Sequence, residues 1–232
     1  MRPFGGLWMN SNADKSIVLV SGGMDSCVCA ARETKAGPTS FIHFNYGQRT
    51  ERREIRSFKA LARRLGVRET LTVDLTAMAR IGGTTLLKGR GSIPAPRFEE
   101  GEIPSTYVPF RNGIMLAYAA AWAEVTGARR LVIGAVEADS SGYPDCRRLF
   151  LDAFSKAIAL GTKAGVRLRV EAPLVGMTKG EIVRLGVRLG APFDLTWPCY
   201  AAETKACGRC ESCLLRLKGF REAGVADPIR YR

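Results

Sequence analysis

The stretch Ile17-Val18-Leu19-Val20-Ser21-Gly22-Gly23-Met24-Asp25-Ser26 decides the fold of this 232-residue chain. Its first half is a short apolar, β-branched run that reads as a buried strand. A Ser-Gly-Gly turn follows at once, and then residues that favour a helix. Glycines at 22 and 23 can adopt backbone angles closed to other residues, which lets consecutive N–H groups face one concavity. Ser21 and Ser26 add hydroxyls, and a helix starting near Ser26 brings the positive end of its dipole to the same place. All of this suits a phosphate or pyrophosphate. No Gly-Lys-Ser/Thr follows and there is no G-x-G-x-x-G, so the two commonest nucleotide loops are excluded. A plain strand-to-helix turn would need only one glycine and no flanking serines.

Outward from this loop, apolar strand-like runs at 16–20, 40–44, 69–73, 130–134 and 167–170 alternate with helical patterns at 25–36, 49–65, 112–125 and 148–163. Gly37, Gly66 and Gly127 stand where a left-handed helix C-cap is expected. Thr178-Lys179-Gly180-Glu181 has the spacing of a capping box and predicts a further helix. Such alternation predicts an α/β fold: a doubly wound, mostly parallel five-stranded sheet with helices on both faces. Ligands in these folds bind beyond the carboxyl ends of the strands, where residues 21–26, 45–50 and 137–146 should gather. The segment 80–107 is rich in glycine and proline and has no sustained period; a structureless loop of this length reads as a lid or a contact loop. The resulting division is a loose leader over 1–15, a nucleotide-binding domain over 16–190 and a small helical, cysteine-bearing segment over 191–232.

Lys and Arg number 35 against 22 Asp and Glu, a formal net charge of +13. Contact with nucleic acid is compatible with that charge and not required by it. Arg49, Arg52, Arg53, Arg56, Lys59 and Arg63 recur along one side of the second predicted helix, opposite Ile55, Phe58, Ala62 and Leu65. That basic stripe reads as a solvated face or as a docking surface for a polyanion. No apolar run approaches the roughly 18–20 residues that span a bilayer, and no hydrophobic export segment stands near the start. A cytoplasmic protein without a membrane partner is expected.

Seven cysteines without an export signal argue against a disulfide framework. Cys27 and Cys29, early on the first helix, read as small core residues. Cys199, Cys207, Cys210 and Cys213 are spaced C-x7-C-x2-C-x2-C. Four soft sulfur donors close a tetrahedral shell around Zn²⁺ and leave no open position, which makes a structural site. An iron–sulfur cluster is the second reading of the spacing. His43, the only histidine, lies inside an apolar run and reads as a packed strand residue.

Ser-Gly-Gly-x-Asp-Ser resembles the PP-loop of ATP pyrophosphatases, which split ATP between the α and β phosphates and adenylate a substrate. Further segments narrow the resemblance: Phe44-Asn45-Tyr46-Gly47-Gln48-Arg49, Thr106-Tyr107-Val108-Pro109-Phe110-Arg111-Asn112, Ser141-Gly142-Tyr143-Pro144-Asp145-Cys146-Arg147, and Trp197-Pro198-Cys199-Tyr200 leading into the cysteine cluster. In this order, from about residue 17 to 231, they are similar to the 7-cyano-7-deazaguanine synthases, which form a nitrile in queuosine precursor synthesis. The chain departs from the family pattern at Asn45, Thr50 and Phe110. A phenyl ring at 110 is expected to narrow or reshape the pocket that Arg111 serves.

The resemblance implies conversion of 7-carboxy-7-deazaguanine and ammonia to the nitrile with ATP and Mg²⁺, by a homodimer that also carries structural Zn²⁺. Residues 20–26, with Val20, Ser21, Gly22, Gly23, Met24, Asp25 and Ser26, are the expected ATP site. Asp25, Ser26 and Arg111 are the expected catalytic group. Asp25 would hold Mg²⁺ through water or fix the loop. Arg111 suits a charge clamp on phosphate or carboxylate, and equally a salt bridge at a helix start. Tyr143 suits stacking on a deazaguanine and Asp145 suits accepting from its ring N–H and amino groups, although Gly-Tyr-Pro-Asp is also a good turn sequence. Tyr46, Gln48 and Asn112 complete the expected substrate set. The rival reading is a related adenylating enzyme whose acceptor is a macromolecule (tRNA, DNA or protein); a zinc-stabilised binding module without activity is a further one.

Overall fold

The computed structural model describes residues 14–89, 93, 103–137, 142–163 and 167–232. Twelve named strands and α-helices run in the order β1 (Ser16–Leu19), α1 (Met24–Ala36), β2 (Thr39–Asn45), α2 (Glu51–Arg64), β3 (Thr70–Asp74), α3 (Met78–Ile81), α4 (Arg111–Thr126), β4 (Arg130–Ile133), α5 (Arg148–Gly161), β5 (Arg169–Glu171), α6 (Lys179–Leu189) and α7 (Glu211–Ala223). Short 3-10 turns sit at Pro144–Cys146 and Phe193–Leu195. The sheet has the order β3-β2-β1-β4-β5, and every neighbouring pair is parallel.

The strands are apolar throughout because both faces are covered. Ile17 and Leu19 of β1 join Ile42, Phe44, Leu131 and Ile133 in a core shared with α4 and α5. Their alternates Val18 and Val20 join Phe41 and Val132 in a second core closed by α1, α2, α6 and Phe220 of α7. Val18 pairs with Phe41 on one side and Val132 on the other, so β1 is the centre of the sheet. The chain leaves β1 for β2 on one side and comes back as β4 on the other. The carboxyl end of β1 is therefore the topological switch point, where such sheets form their binding crevice.

Each predicted helix lies within about two residues of its expected bounds, the scatter normal at helix ends. The capping box at Thr178 forms in full, with Glu181 N–H donating to Thr178 Oγ1 and Thr178 N–H to Glu181 Oε2. Gly127 is left-handed as expected and Gly66 has a positive φ, but Gly37 is extended, with φ 167°, so it is no left-handed cap. α7 packs on α6 at very short range. A Cβ at Gly219 would meet the Lys179 Cβ at 2.9 Å, and one at Gly180 would meet the Glu222 Cβ at 2.8 Å. The glycines thus let the cysteine-bearing segment close over the start of α6.

Residues 1–13 of the expected leader, and 90–92 and 94–102 of the expected lid, lie outside the described residues. The described flanks of that loop are tied down: Leu86 and Leu87 are buried, and Thr85 N–H donates to Ser105 O. Among the described residues no helix is long and apolar enough to cross a membrane.

Candidate active site

The loop after β1 is built as a cradle. Gly22 has φ +89°, and a Cβ there would lie 2.9 Å from the Glu54 carbonyl oxygen, so only glycine fits. Gly23, in contrast, has an ordinary φ of −82°. The freedom expected of both glycines is needed at Gly22 alone. The loop closes on itself: Gly23 N–H donates to Ser21 Oγ, and the Ser26 hydroxyl donates to Gly23 O. With its proton so placed, Ser26 Oγ accepts from the Ser21 hydroxyl at 3.1 Å. α1 begins at Met24, one residue before the expected start at 25. Cys27 N–H is the first to find an intrahelical acceptor, so the N–H groups of Met24, Asp25 and Ser26 stand at the free end of the helix. β4 approaches this end closely, since a Cβ on Gly134 would lie 2.9 Å from Ser26 N.

A cavity of about 290 Å³ opens at this edge. Its walls come from the loop (Val20, Ser21, Gly23, Met24, Asp25, Ser26), from Tyr46 and Glu54, from Arg111 and Asn112, and from Tyr143, Lys179, Tyr200, Glu211 and Arg216. Lys179 Nζ donates to Asp25 Oδ2 at 2.9 Å, and Lys179 is only 7% exposed. Arg111 Nη1 donates to the Tyr46 hydroxyl at 3.0 Å, and the guanidinium carbon lies 5.5 Å from the centre of that ring. Burial, only partly countered by Arg111, pushes the Tyr46 hydroxyl up to about 12, so it stays protonated. The Tyr143 hydroxyl and Thr106 Oγ1 are 2.9 Å apart, and Thr106 Oγ1 donates to Glu211 Oε2. A set of phenols, two arginines, one lysine and one buried carboxylate can both neutralise phosphate and read a polar ring.

Several expected site residues sit behind this wall rather than in it. Gln48 does not line the cavity; its Oε1 accepts from Tyr46 N–H and its Nε2 donates to Glu54 Oε2, which fixes the turn that presents Tyr46. Asp145 also stays out of the lining. It is buried, which raises its carboxyl above the usual range, and its Oδ2 accepts from Asn112 N–H, an otherwise unpaired donor at the start of α4. Phe110 reaches φ +53°, the only non-glycine residue with positive φ among those described. Its ring is half exposed, lies over Gly113 and meets Phe150 edge-on at 5.7 Å. It does not line the cavity, so the expected narrowing of the Arg111 pocket does not occur. Ser141 of the Ser-Gly-Tyr-Pro-Asp-Cys-Arg segment lies outside the described residues.

Cys199, Cys207, Cys210 and Cys213 bring their Sγ atoms within 4.8 Å of one another. Backbone N–H groups of Ala201 and Cys207 donate to Cys199 Sγ, and that of Cys210 donates to Cys207 Sγ. Such donors stabilise thiolates. Four converging sulfurs form a set that can hold a metal ion, and Cys199 is also a wall of the cavity.

Residues 15–224 match the family model described as Queuosine biosynthesis protein QueC. The 7-cyano-7-deazaguanine synthase of Acidobacterium capsulatum is 52% identical over 227 residues, 96% of this chain and 99% of that one. The chain belongs to the 7-cyano-7-deazaguanine synthase family. The synthase of Koribacter versatilis is 51% identical, with 94% of this chain and 93% of that one covered. That of Chlorobium chlorochromatii is 47% identical over 94% and 96%. Among solved structures the similarity is slighter, as with NMN synthetase from Francisella tularensis: TM-score 0.48 and 15% identity over 94% of this chain and 90% of that one.

For this synthase-family chain, sequence reasoning missed Lys179, Tyr200, Glu211, Arg216 and Gly134. The capping box placed Lys179 at the first position of a helix, but nothing in its spacing put that helix beside the phosphate loop. Glu211 stands between Cys210 and Cys213, and nothing in the local sequence marks it as a cavity residue. The Lys179–Gly219 contact is what turns both into cavity residues.

Proposed function

We propose that the protein makes 7-cyano-7-deazaguanine from 7-carboxy-7-deazaguanine, ammonia and two molecules of ATP. The observation that carries the reading is the single cavity that joins the free helix end at Met24–Ser26 to Lys179, Arg111 and the phenol-rich wall. In the first activation a substrate carboxylate oxygen attacks the α phosphorus, the bond to the bridging oxygen breaks, and pyrophosphate leaves. Ammonia then attacks the acyl carbon, AMP leaves, and loss of a proton gives the amide. In the second, the amide oxygen attacks the α phosphorus of another ATP, the bond to the bridging oxygen breaks, and pyrophosphate leaves again. Loss of AMP and two protons in all leaves the nitrile.

The protein's part is to position and to neutralise charge. Ser21, Gly22, Gly23 and Ser26 cradle the departing pyrophosphate, with Val20 and Met24 shaping the loop. Arg111 clamps an anionic oxygen, held by Tyr46. Tyr143 stacks on the ring. Glu211 stands better placed than Asp145 to accept from the ring edge, because Glu211 lines the cavity and Asp145 lies behind it, engaged with Asn112. Among the described residues nothing donates a hydrogen bond to the buried Asp25 Oδ1, which fits a magnesium ion or its water. When bound, magnesium supplies charge neutralisation at the phosphates. Zinc is the metal that four converging thiolates suit, in a structural role. The family resemblance further supports a cytoplasmic homodimer.

Mass spectrometry of a reaction containing the protein, Mg-ATP, ammonium and 7-carboxy-7-deazaguanine tests this, with pyrophosphate followed alongside. The amide and then the nitrile are expected. Adenylate or amide without nitrile would redirect the search to a macromolecular acceptor.

A further inference from the structure

Arg216 is the largest fully buried side chain among the described residues, 1% exposed, yet it lines the cavity. Four of its five N–H groups have acceptors. Nε and Nη2 donate to the two oxygens of Asp227, each at 2.8 Å, Nη2 also donates to Phe193 O, and Nη1 donates to Thr196 Oγ1 at 2.6 Å. One Nη1–H is left. A bidentate pair fixes a guanidinium plane more tightly than any single bond. Asp227 is itself held by the Tyr231 hydroxyl, 2.6 Å from Oδ2, and by Ile229 N–H. Tyr231 packs against Gly208, between two of the cysteines, and pairs with Ala206.

The same guanidinium reaches the phosphate loop. Arg216 pins Phe193 and Thr196, and the next residue, Trp197, donates its N–H to Gly22 O at 2.8 Å. Tyr231, Asp227, Arg216, Thr196 and Trp197 thus form one chain of bonds from the cysteine cluster to the loop. Nothing in the expected reaction requires residues 227–231 to touch substrate, and Asp227 does not line the cavity.

We propose that Asp227 is a positioning residue of the active site: its carboxylate sets the Arg216 guanidinium in the cavity wall and, through Thr196 and Trp197, the phosphate loop, while Tyr231 holds Asp227. This deepens the nitrile-forming reading and rests on it for what the cavity does.

The test compares wild type, Asp227→Asn, Tyr231→Phe, Arg216→Met and the two double variants that combine each tail change with Arg216→Met. Nitrile formation, metal content and calorimetric affinity for Mg-pyrophosphate are read for each. Asp227→Asn should lower kcat about 10- to 100-fold with the KM for 7-carboxy-7-deazaguanine within about threefold and the metal retained, because one bidentate charge pair is lost. Tyr231→Phe should lower kcat about threefold, the effect of one hydrogen bond. Neither change should lower it further once Arg216 is Met, since residues acting through one partner are not additive. Pyrophosphate affinity should follow the same pattern. Wild-type-like kcat in Asp227→Asn, or a full extra penalty in the double variants, overturns the proposal. If Asp227→Asn does not fold, Tyr231→Phe and its double variant decide the same question. If wild type makes no nitrile, the functional reading falls, and the pyrophosphate affinities alone decide the positioning role.

Discussion

Lys179 Nζ donates to Asp25 Oδ2 across 2.9 Å, joining the first residue of α6 to the first turn of α1. The ammonium is nearly excluded from solvent while the carboxylate keeps some exposure, 9% against 28% for the two side chains. A cation held beside a phosphate cradle serves the anion when it arrives, and the carboxylate holds it there beforehand. Lys179→Met should therefore lower turnover by about 10²–10³, the scale seen when one pre-placed donor to a developing anion is removed. Asp25→Ala should also abolish turnover while leaving the cysteine-bound metal in place. Steady-state kinetics with metal analysis on both variants checks this; retained activity in either removes that residue from the mechanism.

The cysteine cluster ties three walls together, since Cys199 lines the cavity, Cys213 sits on α7 and Cys207 precedes the turn under Tyr231. Metal-ligand free energy in such a site is folding free energy. Cys210→Ser should lower metal content and melting temperature together. A fall of about 10 °C is expected, the drop that a loss of a few kcal/mol gives in a chain of this size. Full metal occupancy in that variant would contradict the assignment.

Phe110 separates what the sequence suggested from what the fold does with it. Its left-handed backbone costs about 1 kcal/mol or more for a non-glycine residue, and its ring contacts with Gly113 and Phe150 oppose that cost. Phe110→Gly should change stability by less than about 1 kcal/mol, because relief of strain and loss of packing offset each other. The KM for 7-carboxy-7-deazaguanine should stay within about twofold, because the ring lies outside the cavity. A large KM change would mean that the ring enters the pocket when substrate binds.

Where a residue's role is local, the sequence was enough. The strand-loop-helix at 16–26, the capping box at Thr178 and the four-cysteine spacing each depend on neighbours a few positions away, and each forms as read. Roles that depend on which side of a wall a residue falls were not legible. Gln48 and Asp145 have the right chemistry for a ligand, yet each spends it on a backbone N–H just behind the cavity. Lys179, Glu211 and Arg216 enter the site only because α6 and α7 close to glycine range, a contact between residues 40 apart that no local pattern encodes.

His43, the only histidine, ties β2 to the end of β1 where the loop begins. Its Nδ1–H donates to Val20 O at 2.8 Å, and its ring stacks on Phe58 at 4.9 Å. Burial lowers its pKa below the ordinary 6.5, outweighing the opposing Val20 carbonyl and the Glu54 charge. On acidification the unfolded chain takes up the proton first. The stability owed to neutral His43 is thus complete above about pH 6.5 and is lost as pH falls through the folded-state value. With one imidazole in the chain, a single Hε1 resonance followed by NMR reports that value directly, and a midpoint below 6.5 is expected. The fall in melting temperature between pH 6.5 and 5 should be shallower in His43→Phe than in wild type, which separates this group from the carboxylates that titrate at lower pH. A midpoint at or above 6.5 would mean that the imidazole is solvated and that Val20 is held by something else.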